Sequence, residues 1–245
     1  QATADDVLAL PTRTEAPGKA ERPLIELVRA EDVECRPVSW LWPGWLARGK
    51  LHILAGAPGT GKTTIALALA AVVTRGGHWP DGRYSPAGNV LLWSGEDSAA
   101  DTLVPRLKAA GADLGRVLIV GDVPEDGEAR PFDPARDVPA LEYEAHKLGG
   151  IALLIADPLV SAVTGDSHKN TEVRRALQPM VNLAERIGAA VLGITHFSKG
   201  SAGRDPLERV TGSIAFGALA RIVMVTAKQP AEDGEGVKRL LARAK

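Results

Sequence analysis

The sequence predicts an α/β domain built on a mostly parallel, twisted sheet with helices on both faces. Short apolar runs recur along the chain at Leu51 to Ala55, Asn89 to Ser94, Val117 to Val120, Ile151 to Ala156, Ala190 to Thr195 and Arg221 to Thr226. Helix-like stretches lie between or after them, at Lys62 to Thr74, Ala99 to Ala110, Val138 to Leu148, Thr171 to Ile187 and Ile214 to Leu219. Alternation of this kind is the pattern of βαβ units. Glycine pairs, Gly76-Gly77 and Gly149-Gly150, follow the first and third helical stretches, where left-handed residues close a helix. Right-handed crossovers bring the C-terminal tip of every parallel strand to one edge of the sheet, where such folds hold ligands.

The first run leads into Gly56-Ala57-Pro58-Gly59-Thr60-Gly61-Lys62-Thr63-Thr64, a full match to G-x-x-x-x-G-K-[ST] between a strand and a helix. Glycines at 56, 59 and 61 let backbone N–H groups turn inward, so that loop and helix N-terminus form an anion cradle. Lys62 adds a point charge for the β- and γ-phosphates, and the Thr63 hydroxyl is a Mg²⁺ ligand. ATP with Mg²⁺ is the cofactor pair this pattern calls for.

Three further strand tips carry polar groups. Ile151 to Ala156 ends in Asp157-Pro158, and an aspartate at the tip of a buried strand beside a phosphate loop orders Mg²⁺ and its waters; otherwise it caps a turn. The run ending at Ser94 continues Gly95-Glu96-Asp97. No acid directly follows Asp157, so Glu96 is the candidate for orienting or deprotonating the attacking water; its alternative role is a cap for the helix near Ala99. The run ending at Thr195 continues His196-Phe197-Ser198-Lys199, and His196 reads either as a γ-phosphate sensor or as a satisfied structural histidine. The stretch Lys199 to Gly212 has little apolar content and reads as a long loop carrying Lys199, Arg204 and Arg209.

The chain has 245 residues, 45% hydrophobic and 24% charged, enough for one large core. A formal net charge of -1 argues against a protein that coats nucleic acid over its whole surface, and leaves room for a local basic site. Cys35 is the only cysteine, which excludes an internal disulfide framework and fits a reducing cytoplasm. No apolar run is long enough to span a bilayer, so no membrane partner is expected. Residues 1–38 are rich in breakers, Pro11, Pro17, Pro23 and Pro37, and read as an N-terminal arm or linker; residues 39–245 read as the catalytic domain, an excised one truncated at its C-terminus. Trp40, Trp42 and Trp45 crowd before the first strand, either covering the end of the sheet or offering a base a stacking surface.

In their order, the segments GAPGTGKTT, WSGED, LLIADP, GITHFSKG and TGSIAFGALAR resemble the RecA-like P-loop NTPases of the RepA type, hexameric plasmid replicative helicases related to AAA-family ATPases of phages and mobile elements. The resemblance runs from about Trp40 to Lys245. It implies a RecA-like fold with strand order near 3-2-4-5-1-6 and ATP hydrolysis between subunits of a homo-oligomeric ring, with six subunits expected. Lys62 and Thr63 hold phosphate and Mg²⁺, Glu96 matches the catalytic glutamate, Asp157 the metal-ordering acid and His196 the sensor. Arg221 matches an arginine finger that enters the neighbouring subunit's site, the alternative being an arginine paired with an acid at the start of the sixth strand. No arginine of the chain is expected to meet the γ-phosphate of its own loop. Single-stranded DNA would be held by the loops Val160 to Asn170 and Lys199 to Gly212, and relatives are often fused to a primase-polymerase module. The readings that compete with a DNA helicase are a recombination-mediator or regulatory ATPase that binds DNA without unwinding it, and a P-loop kinase of small molecules.

Overall fold

A computed structural model describes residues 27–163, 169–198, 201, 203, 205–210, 214–231 and 236–245. The chain divides into two units, Gln1–Pro37 and Val38–Lys245. In the first, the described residues form one 3-10 turn at Ala30–Asp32, followed by an ion pair of 2.6 Å between Arg36 and Glu34.

The second unit begins with a short hairpin, β1 (Trp40–Trp42) and β2 (Leu46–Ala47), followed by β3 (Leu51–Gly56), α1 (Lys62–Arg75) and β4 (Val90–Ser94). A π-helical turn at Ala99–Leu103 runs into α2 (Val104–Ala109), then β5 (Val117–Ile119). A second small hairpin, β6 (Val123–Glu125) and β7 (Glu128–Arg130), precedes α3 (Pro134–Lys147) and β8 (Leu153–Asp157). The chain continues through α4 (Asn170–Ile187), β9 (Ala190–His196), α5 (Pro206–Arg209), α6 (Ile214–Leu219), β10 (Ile222–Pro230) and β11 (Val237–Arg243).

The main sheet has the order β11-β10-β3-β9-β8-β4-β5, parallel throughout except for the β10–β11 pair. Leaving out β11 and counting the parallel strands in chain order, this is 6-1-5-4-2-3, the order the resemblance implies. Alternate residues of each central strand enter opposite cores, as the two-residue period of a strand requires. Leu51, Ile53, Leu91, Leu154 and Val191 pack with α3, α4 and α6, whereas Leu54, Leu92, Ile155 and Leu192 pack with α1 and α2. Helix α4 buries Val173, Ala176, Leu177, Met180, Leu183 and Ala184, spaced three and four apart on one stripe.

The sequence reading places no element between Val120 and Val138, yet the chain there makes the β6–β7 hairpin. Its turn is Asp126-Gly127, with φ of 51° and 86°, the left-handed pair that a tight hairpin demands. Arg130 then grips Asp137 of α3 through two bonds of 2.7 Å, which holds that carboxyl down to about 2. Helix α3 starts four residues earlier than the apolar pattern indicates because Asp133 caps it, accepting from the Ala135 N–H at 2.9 Å, with Pro134 in the first turn.

The phosphate-loop strand is tied to the tryptophan hairpin by His52, a fully buried ring on β3. Its Nδ1 donates to Val191 O at 3.1 Å, and its Nε2 accepts from the Ala47 N–H at 2.9 Å. Burial lowers its pKa from 6.5 to about 4, assisted by the charge of Arg221. The unfolded chain therefore takes up a proton as pH falls through 6.5, while the folded chain resists until about 4. Stability is full above that window and should decline by on the order of 3 kcal/mol across it. Urea unfolding between pH 7 and 4.5 should show the decline in wild type and a flatter curve in His52→Gln; equal slopes would exclude His52 as the source.

Candidate active site

Register sets the geometry of the cleft. Gly56 at the end of β3 lies opposite His196 at the end of β9, and Asp157 at the end of β8 lies opposite Ser94 at the end of β4. The sequence-predicted tips thus meet at one edge of the sheet, around a cleft of about 960 Å³ whose lining includes Lys62, Thr63, Glu96, Asp157 and His196. That volume suits a ligand of nucleotide size.

The loop is held in shape from beneath. Thr60 Oγ1 donates to Ala57 O at 2.8 Å and meets Thr226 Oγ1 of β10 at 2.6 Å. Gly56 has to be glycine, because a Cβ there would collide with Thr226 Oγ1 and stand 2.9 Å from both Thr226 O and Thr60 Oγ1. Gly61 caps α1 at φ 95°, a left-handed conformation that turns the chain from loop into helix. Lys62 is buried, and the three donors of its ammonium face three acceptors: Gly56 O at 3.1 Å, Ala57 O at 3.2 Å and His196 Nδ1 at 3.2 Å. Since Lys62 supplies only donors, Nδ1 of His196 is the acceptor in this contact. Burial draws the Lys62 pKa below its ordinary value, against the opposing pull of Asp157 and Glu96.

Asp157 is 8% exposed and accepts the Thr63 hydroxyl at 2.6 Å. Burial pushes its pKa above the ordinary carboxylate value, and the charges of Glu96 and Asp97 push the same way, against the Thr63 hydrogen bond and Lys62. A carboxylate so placed is poorly compensated as an anion, and a hydroxyl beside it completes a pair of oxygen donors of the type a hard divalent cation takes. The residues present therefore fit Mg²⁺. Glu96 is exposed at the cleft mouth; among the described residues its carboxylate makes no ion pair or hydrogen bond, and it does not cap the following helix, whose cap position is Ser98.

Arg221 stands elsewhere. Its backbone N–H donates to Leu51 O at 2.8 Å, at the beginning of β3, so it lies at the opposite edge of the sheet from its own phosphate loop. The side chain is exposed, and among the described residues it forms no ion pair. Of the candidate nucleic-acid residues, Arg209 is half-buried with its guanidinium 4.1 Å from the centre of the Phe197 ring. Lys199 and Arg204 lie outside the described residues, as do 164–168 of the Val160 to Asn170 loop.

Sequence reasoning missed the residues that β11 brings in. Arg239, Leu240 and Leu241 line the cleft, as does Arg106 from α2. The signal available was the alternation of Val237 to Arg243 at the chain's end. The tryptophans divide: Trp42 is 2% exposed, stacked between Trp45 and Trp79 at 4.8 and 5.0 Å, and its indole N–H donates to Asp81 at 2.9 Å. Trp45, partly exposed, joins Ile65, Leu69 and Leu241 in the apolar wall of the cleft.

The fold, the strand-tip residues and the phosphate loop converge with the comparison of the chain to known families. The model described as AAA domain matches residues 17–202. No curated protein matches the chain. With a match over most of its length and a phosphate loop at the edge of a RecA-like sheet, the chain belongs to the AAA domain family of P-loop ATPases.

Proposed function

We propose that the chain is an ATP-hydrolysing motor domain that works as a ring-forming helicase or translocase on single-stranded DNA during replication. The observation that carries the reading is the convergence of Lys62, the Thr63–Asp157 pair, Glu96 and His196 on one cleft, with Arg221 at the opposite edge of the sheet. In this reading the loop from Gly56 to Thr64 and Lys62 bind the phosphates, while Thr63 and Asp157 would hold Mg²⁺, which when bound neutralises phosphate charge. Glu96 orients the water and accepts its proton. His196, linked to Lys62, registers the terminal phosphate at the head of the segment that leads to Lys199, Arg204 and Arg209. In the sequence these three cations are the local basic group on a chain of formal net charge -1, and a group of that kind suits backbone rather than base contacts.

The test is the ATPase rate with and without single-stranded DNA, measured together with the mass in solution. Stimulation by DNA in a species several times the 25.7 kDa of one chain is the expected result. Hydrolysis that ignores DNA would move the chain to the regulatory reading, and absence of hydrolysis in an assembled sample would remove the motor.

A further inference from the structure

The β10–β11 hairpin holds two cations over the phosphate loop of its own chain. Lys228 and Arg239 are direct register partners across the antiparallel pair, an arrangement in which like charges repel. Among the described residues neither side chain makes an ion pair or a hydrogen bond. Their near neighbours are the loop glycines instead: a Cβ on Gly59 would stand 3.5 Å from Lys228 Nζ, and one on Gly61 would stand 3.5 Å from Arg239 Cδ and 3.7 Å from its Nε. Arg239 also lines the cleft with Lys62 and Thr63. Strand order puts β10 on one side of β3, and β9, β8 and β4, which carry His196, Asp157 and the approach to Glu96, on the other.

We propose that Lys228 and Arg239 form a clamp in cis, closing on the polyphosphate of the nucleotide held by the same chain's loop, from the flank opposite Asp157 and Glu96. The inference rests on reading the cleft as a polyphosphate site. Two uncompensated cations set side by side match a ligand carrying three or four negative charges, the guanidinium offering a planar pair of donors and the ammonium a point charge. The polyphosphate relieves the repulsion within the hairpin, so binding and hairpin stability rise together. Arg221, at the other edge of the sheet, takes no part.

The experiment measures binding of MgATP and MgADP by calorimetry across a range of salt, for wild type, Lys62→Ala, Arg239→Gln, Arg239→Lys and the double variant Lys228→Met/Arg239→Gln, with thermal unfolding of each in the absence of nucleotide. Arg239→Gln should weaken both nucleotides about tenfold, and the double variant more, with a shallower salt dependence; Arg239→Lys should fall between it and wild type. Without nucleotide, the melting temperatures of the variants should equal or exceed that of wild type, since a repulsion has been removed. A lowered melting temperature with unchanged affinity would make Arg239 a structural residue and overturn the clamp. Unchanged affinity and salt slope in the double variant, beside lost binding in Lys62→Ala, would overturn the clamp alone. Failure of wild type to bind either nucleotide would overturn the reading of the cleft and the clamp with it.

Discussion

Glu96→Gln is expected to bind ATP as wild type does and to lose turnover by about 10² to 10⁴-fold, the usual contribution of a positioned general base. Its carboxylate hangs at the mouth of the cleft, reaching Lys62 and Asp157 only through its charge. The amide keeps the shape and removes the base, and nothing in the packing depends on it. Lys62→Ala differs in kind, because that ammonium joins the loop carbonyls to His196, so binding itself should weaken. Single-turnover phosphate release, read beside nucleotide titration, separates the two. Hydrolysis by Glu96→Gln within a few-fold of wild type would assign water activation to another group.

Arg221→Ala should retain nucleotide binding and lose about 10³-fold or more in turnover, the scale of an arginine supplied to a transferring phosphoryl group. An exposed guanidinium at the edge of the sheet opposite its own loop cannot serve that loop, so the proposed ring predicts that it acts on the site of another copy. Activity per subunit should then rise with protein concentration as interfaces form. Mixing Arg221→Ala with Lys62→Ala should restore part of the activity, because some interfaces then pair an intact Lys62 site with an intact Arg221. Absence of rescue in mixtures shown to co-assemble, or full turnover at all concentrations from a monomer, would defeat the assignment.

What could be read from the sequence was what local chemistry dictates. The phosphate loop announces itself because its glycines, lysine and threonines sit in one run, and Asp157, Glu96 and His196 could be picked out because each ends or closely follows an apolar strand whose parallel pairing aligns the tips. The strand order came from the resemblance rather than from any property of the six runs. Arg239 was beyond reach for a physical reason: it meets the loop only because β11 folds back antiparallel along β10, and a basic segment such as Lys238-Arg239-Leu240-Leu241 does not show which edge it will pair with. The tryptophan hairpin was obscured by its length, since β2 has two residues and owes its place to a ring nitrogen of His52. The turn at Asp126-Gly127, by contrast, did carry its signal, a left-handed pair between short extended segments, and the helical pattern that follows it outweighed that signal.

Strand β10 leaves Arg221 at one edge of the sheet and reaches Thr226, whose hydroxyl touches Thr60 inside the loop, at the other. Five residue steps of extended chain make a strut of about 17 Å, flanked on both sides by hydrogen-bonded strands and packed above and below by buried Val223 and Met224. A strut so braced ties the height of the loop floor to the position of the far edge. Swelling the loop floor at Gly56 by a single methyl group would accordingly be felt as a misalignment at Arg221, on a surface that the substitution never touches.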